Sequence, residues 1–141
     1  MFHQRSLLAL LVLAAGLSSG QIGVPAITVA PVVEVDRVAA GDTVRLALAV
    51  SVPDGLHLQS DRPRDRTVIP TRLSIDTPVG MTLADVAFPA STEFRVVGFD
   101  EPLDVFAGDL VLGARIAVAR DHQAGRVTLP GRLRYQACND T

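Results

Sequence analysis

The chain has little sulfur and few aromatic rings: one cysteine, two methionines, no tryptophan and one tyrosine in 141 residues. A single thiol excludes a framework of internal disulfides. With three histidines (His3, His57, His122), no pair of them at H-x-x-x-H spacing and no cysteine pair, a zinc site lacks ligands. No metal or other cofactor is expected. Aromatics at 4% leave no platform of stacked rings for a sugar. An excess of positive charge is also missing. Thirteen basic residues stand against fifteen acidic ones, for a net charge of −2, so there is no electrostatic footprint for nucleic acid. No phosphate-cradling glycine loop occurs, and no nucleophile–base pair can be named, which disfavours a hydrolase.

Long apolar runs are confined to the start. Leu7 to Leu17 follows His3 and Arg5 and precedes Ser18-Ser19-Gly20. That run is too short to span a bilayer comfortably, and the small residues after it suit a signal peptidase, so residues 1–20 read as a signal peptide. The mature part, 21–141, is then about 120 residues, enough for one compact domain. The first twenty residues carry one Arg and no acid, so the remainder stands near −3. The mean hydropathy of +0.33 is raised by the leader and is not a membrane signal.

The mature part has no sustained helical period. It alternates with a period of two between turn signals, the pattern of half-buried strands. Strands are expected over 27–35, 43–52, 56–59, 70–76, 81–88, 110–119, 126–129 and 132–138, with 60–67 a charged solvated loop and 91–104 irregular. Pro31 assigns the first strand to an edge or a bend. Val44, Leu46, Leu48 and Val50 share one face of the second. Leu110, Leu112, Ala114, Ile116 and Val118 share one face of the clearest strand. In the last segment Leu133 and Tyr135 are expected inward, with Arg132, Arg134 and Gln136 outward. Pro53-Asp54-Gly55 is a strong turn signal. Seven or more short strands at this spacing predict an all-β, immunoglobulin-like antiparallel sandwich, without the Cys–Trp–Cys core of antibody domains.

The one cysteine, Cys138, lies in Tyr135-Gln136-Ala137-Cys138-Asn139-Asp140. Exported proteins favour paired cysteines, so a lone thiol here is either an inert, hydrophobe-like side chain or half of a reactive pair. A thiolate is the nucleophile of disulfide exchange and needs access and a partner sulfur.

The Tyr135-Gln136-Ala137-Cys138 element resembles the N-terminal periplasmic domain of DsbD-type thiol:disulfide interchange proteins. Supporting features are the Gly41-Asp42 turn, Pro53-Asp54-Gly55-Leu56-His57-Leu58, Pro70-Thr71 and Phe88-Pro89. The resemblance covers residues 27–141. It implies an immunoglobulin-like sandwich and a role in relaying reducing equivalents between a thioredoxin-like protein or domain and periplasmic disulfide-bearing proteins. A link to cytochrome c biogenesis and a membrane-embedded domain of the same full-length protein are further implications. Cys138 would be the first redox cysteine. Tyr135, Gln136 and His57 would form its surroundings, with Gln59 nearby, and Phe99 in the 96–102 loop would be the shielding ring. The family's second cysteine is expected just past Thr141, and the chain would then be one component of a protein-disulfide reductase. The alternative is a non-enzymatic exported sandwich that binds or assembles through exposed edge strands.

Overall fold

The computed structural model describes residues 27–98 and 100–139. The proposed signal peptide and Phe99 lie outside the described residues. Among the described residues ten strands follow one another: β1 (Thr28–Val33), β2 (Thr43–Ser51), β3 (Leu56–Gln59), β4 (Arg72–Ile75), β5 (Met81–Ala87), β6 (Thr92–Phe94), β7 (Leu103–Phe106), β8 (Asp109–Val118), β9 (Gly131–Arg134) and β10 (Ala137–Asn139). No helix occurs among the described residues.

β8 organises the first sheet. Its Leu110, Leu112, Ala114, Ile116 and Val118 are all buried while the intervening residues are not, which is the alternation expected of a strand with one face in the core. β2 pairs with it over nine residues and β5 lies on its other side, so the order is β1-β2-β8-β5. The second sheet has the order β10-β3-β7-β6, and β4 pairs with β9 alone. All neighbouring pairs are antiparallel.

One apolar cluster joins the layers. Val50, Leu110 and Leu112 from the first sheet pack with Leu56, Leu58 and Phe106 from the second, and Leu73 and Leu133 of the β4–β9 pair close over them. Phe88 and Phe106 stack with ring centroids 6.2 Å apart. Burying each such aliphatic side chain stabilises the fold by about 1.5–3 kcal/mol. The domain is an immunoglobulin-like β-sandwich.

The turn into β3 takes the form its residues anticipate. The Leu56 N–H donates to the Pro53 carbonyl over 3.2 Å, and Gly55 has φ of 78°. A Cβ on Gly55 would touch nothing within 4 Å, so glycine is needed there for its backbone conformation and not for space. At Gly80, φ is 82° and a Cβ would fall 2.7 Å from His122 Nδ1, so both restrictions apply.

Four strand expectations need correction. Residues 126–129 form no strand: the alternation is present, but the segment has no strand pairing, and Pro130, which follows it, has no N–H to give. Within 91–104, Thr92–Phe94 is a strand, and a second strand, Leu103–Phe106, begins at its end. β7 escapes a period-two search because Val105 and Phe106 are both buried in succession. The segment 132–138 is two strands, β9 on β4 and β10 on β3, with Tyr135 and Gln136 crossing between sheets. That crossing reverses the facing of the side chains. Tyr135 is 39% exposed instead of inward, and Gln136, expected outward, is half-buried.

Candidate functional site

β3 is the floor of the site. Leu56 and Leu58 point into the apolar cluster, so His57 and Gln59 share the opposite face. That face is covered as well, leaving His57 2% and Gln59 1% exposed. The Gln59 carbonyl accepts from the Thr71 hydroxyl at 2.5 Å. The Gln59 Oε1 atom is buried and has no hydrogen-bond partner among the described residues.

β10 brings the thiol to this floor. Ala137, Cys138 and Asn139 pair with Leu58, His57 and Leu56. Directly opposed residues of an antiparallel pair project on the same face with Cβ atoms about 4.5–5.5 Å apart, so Cys138 and His57 are side by side. Cys138 is a free thiol and half-buried.

Gln136 ties the sulfur down. Its Oε1 accepts the Ile69 N–H at 2.7 Å, which fixes the amide orientation, and its Nε2 then donates to Cys138 Sγ at 3.6 Å. Its carbonyl accepts the Gln59 N–H at 3.1 Å. One residue thus fastens loop, floor and thiol.

The ring on the far side of His57 is Phe94, at the end of β6, with centroids 4.6 Å apart and planes tilted by 40°. The thiol, imidazole and phenyl ring therefore follow one another across the face. Phe94 falls in the 91–104 stretch, where the sequence shows no sustained alternation. The period-two pair Thr92 and Phe94 is too short to register as a strand. Tyr135 lies next to Gln136 with its ring partly in solvent.

Arg64, from the loop after β3, contacts two carboxylates, Glu93 on β6 at 2.5 Å and Asp104 on β7 at 3.1 Å. The Arg64 hydrogen bond holds the Glu93 carboxyl below its ordinary pKa, and Arg64 itself is raised by the same contact. Asp65 is lowered by hydrogen bonds from the Thr67 backbone N–H and hydroxyl.

A thiol on an edge strand, held by an amide and lying beside an imidazole, is an arrangement suited to attack on a disulfide sulfur. Comparison with known proteins agrees on the chemistry. The family model described as "Thiol:disulfide interchange protein DsbD, N-terminal" matches residues 27–141. The chain belongs to this family. No curated protein matches it individually, and no solved structure does. As a DsbD N-terminal domain it is a thiol:disulfide interchange domain that exchanges with redox partners, and domains of this family are periplasmic.

Proposed function

We propose that Cys138 is the exchanging sulfur of a relay that carries reducing equivalents between a thioredoxin-like protein or domain and periplasmic disulfide-bearing proteins. The observation that carries this reading is the seat of Cys138 within the DsbD match: opposite His57 on the edge of the second sheet, with the Gln136 amide on its sulfur.

The step balances as follows. The Cys138 thiolate attacks one sulfur of a partner disulfide. A bond forms between Cys138 Sγ and that sulfur, the partner's S–S bond breaks, and the partner's second sulfur leaves as a thiolate. The Cys138 proton passes to the neighbouring imidazole or to water. A second thiol then resolves the mixed disulfide, and the family resemblance puts one a few residues after Cys138. Tyr135, with its ring toward solvent, borders the approach. Phe94 supplies a ring against His57, while the ring that shields the cysteine is assigned by resemblance to Phe99. Export through the leader at residues 1–20 delivers the domain to the compartment where this exchange is needed.

The test is covalent. A thioredoxin-like protein lacking its resolving cysteine is incubated with the reduced chain under mild oxidant, and non-reducing electrophoresis with peptide mass mapping locates the link. The expected result is a one-to-one adduct through Cys138, lost in Cys138→Ala. No adduct with the parent chain, or an equal one with the variant, contradicts the proposal.

A further inference from the structure

The hairpin of β6 and β7 contains an unfavourable pair. Glu93 and Asp104 are directly opposed in the register, so two carboxylates project on the same face at close range. Like charges in that position destabilise a strand pair. β6 is also an edge strand of only three residues and, among the described residues, has no second neighbour to hold it. Arg64 answers both problems, since one guanidinium nitrogen, Nη2, reaches Glu93 Oε1 and Asp104 Oδ1 together.

Arg64 is itself held in place. The Ser60 N–H donates to the Asp104 carbonyl at 2.9 Å, and the Ser60 hydroxyl accepts the Arg62 N–H at 3.2 Å. Beyond Arg64, Asp65 accepts from the Thr67 N–H and hydroxyl at 2.8 and 2.7 Å. The loop therefore presents its arginine from two fastened ends.

Glu93 and Phe94 are adjacent in one strand and point to opposite faces. We propose that Arg64, resting on the redox reading above, is a positioning residue: by clamping Glu93 to Asp104 it keeps Phe94 against His57 and so sets how open Cys138 is to an incoming sulfur. Releasing the clamp leaves two facing carboxylates that push β6 off β7, and Phe94 goes with it. Lids of this kind work because a short, weakly held element can leave without disturbing the core.

The experiment measures iodoacetamide alkylation of Cys138 in the full chain, together with the NMR shifts of the His57 ring protons, which feel the ring current of Phe94. Arg64→Met is expected to raise the alkylation rate about two- to five-fold, the scale of a partly exposed ion-pair network, and to move the His57 signals toward their unstacked positions. Arg64→Lys, which keeps the charge, is expected to stay nearer the parent in both. Unchanged alkylation and unchanged His57 shifts in Arg64→Met overturn the proposal. If Arg64→Met fails to fold, the parent chain is measured in about 1 M salt, where the Debye length falls to about 3 Å. Faster alkylation at unchanged circular dichroism supports the clamp, and an unchanged rate overturns it. Alkylation reads access to the sulfur whether or not Cys138 serves a redox partner. A missing adduct with the thioredoxin-like protein therefore counts against the relay alone.

Discussion

Two edge strands of this sandwich are handled in opposite ways. β1 borders the first sheet with six residues, all exposed, including Val29, Val32 and Val33. β10 borders the second with three residues and carries the thiol. β1 ought to be the more dangerous, since an apolar edge is a template for another strand. The Glu34 N–H donates to the Arg45 carbonyl, so in the antiparallel register the even-numbered residues of β1 bond inward and the odd-numbered ones face outward. Pro31 is odd-numbered. It removes an N–H from the outer ladder at mid-strand, where a partner strand would need it. β10 carries no such block. Its edge is short, and its one reactive atom is governed by side chains: Gln136 on the sulfur, His57 opposite it, Phe94 beyond. One edge is closed to pairing, while the other is kept for chemistry.

The first way to break this contrast is to remove what both edges share. Leu112 is fully buried at the centre of β8. Leu112→Ala should cost about 2–5 kcal/mol in denaturant unfolding, with hydrogen exchange on β1 and alkylation of Cys138 rising together. If only one edge responds, the two do not rest on one core. The second separates them. Gln136→Leu removes the acceptor for the Ile69 N–H and the donor to Cys138 Sγ. A loss of about 1–2 kcal/mol is expected, with slower attack of Cys138 on a small disulfide and unchanged exchange on β1. Equal loosening at both edges would refute the separation.

The third sharpens the β1 side. Pro31→Val restores the outer N–H and should leave the unfolding midpoint within about 0.5 kcal/mol, the usual range for an exposed site, yet produce concentration-dependent dimers in sedimentation. A strictly monomeric variant would mean that Pro31 is not the guard. The smallest effect is acidic. Glu93 is held below its ordinary 4.5 by the hydrogen bond from Arg64, and Asp65 below its ordinary 3.8 by Thr67. A depressed folded pKa contributes stability above the unfolded value and loses it as pH falls through the folded one. A slight drop in thermal midpoint is therefore expected as pH falls below about 4.5, absent in Glu93→Gln for the first of these groups.

Much of the scaffold was legible in the sequence because β8 is long and keeps one face in the core, which is what period-two alternation measures. The turn at Pro53-Asp54-Gly55 was legible for its own reason, a proline and a positive-φ glycine in sequence. The site was harder to read. The Cys138 segment was visible through the Tyr-Gln-Ala-Cys element, and His57 through its place on the strand after the turn. Their register against each other was not, because pairing between residues 57 and 138 depends on where the chain changes sheets. That change happens at Tyr135 and Gln136, two residues with no turn signal between them, and it exchanged their expected facings. Phe94 and Arg64 were hidden for a related reason. Each acts through a partner distant in sequence, His57 for the ring and Glu93 with Asp104 for the cation.

The most direct test of the central claim is a rate. A thioredoxin-like protein lacking its resolving cysteine is capped at its remaining thiol with thionitrobenzoate, and release of the coloured anion is followed on adding the reduced chain. Cys138 attacks the protein sulfur, the capped bond breaks, and thionitrobenzoate leaves. The domain is expected to react at least about tenfold faster than an unstructured peptide of residues 133–141 at equal thiol concentration, the scale expected of a positioned thiol over a free one. A rate equal to or below that of the peptide would contradict the assignment of Cys138 as the exchanging sulfur.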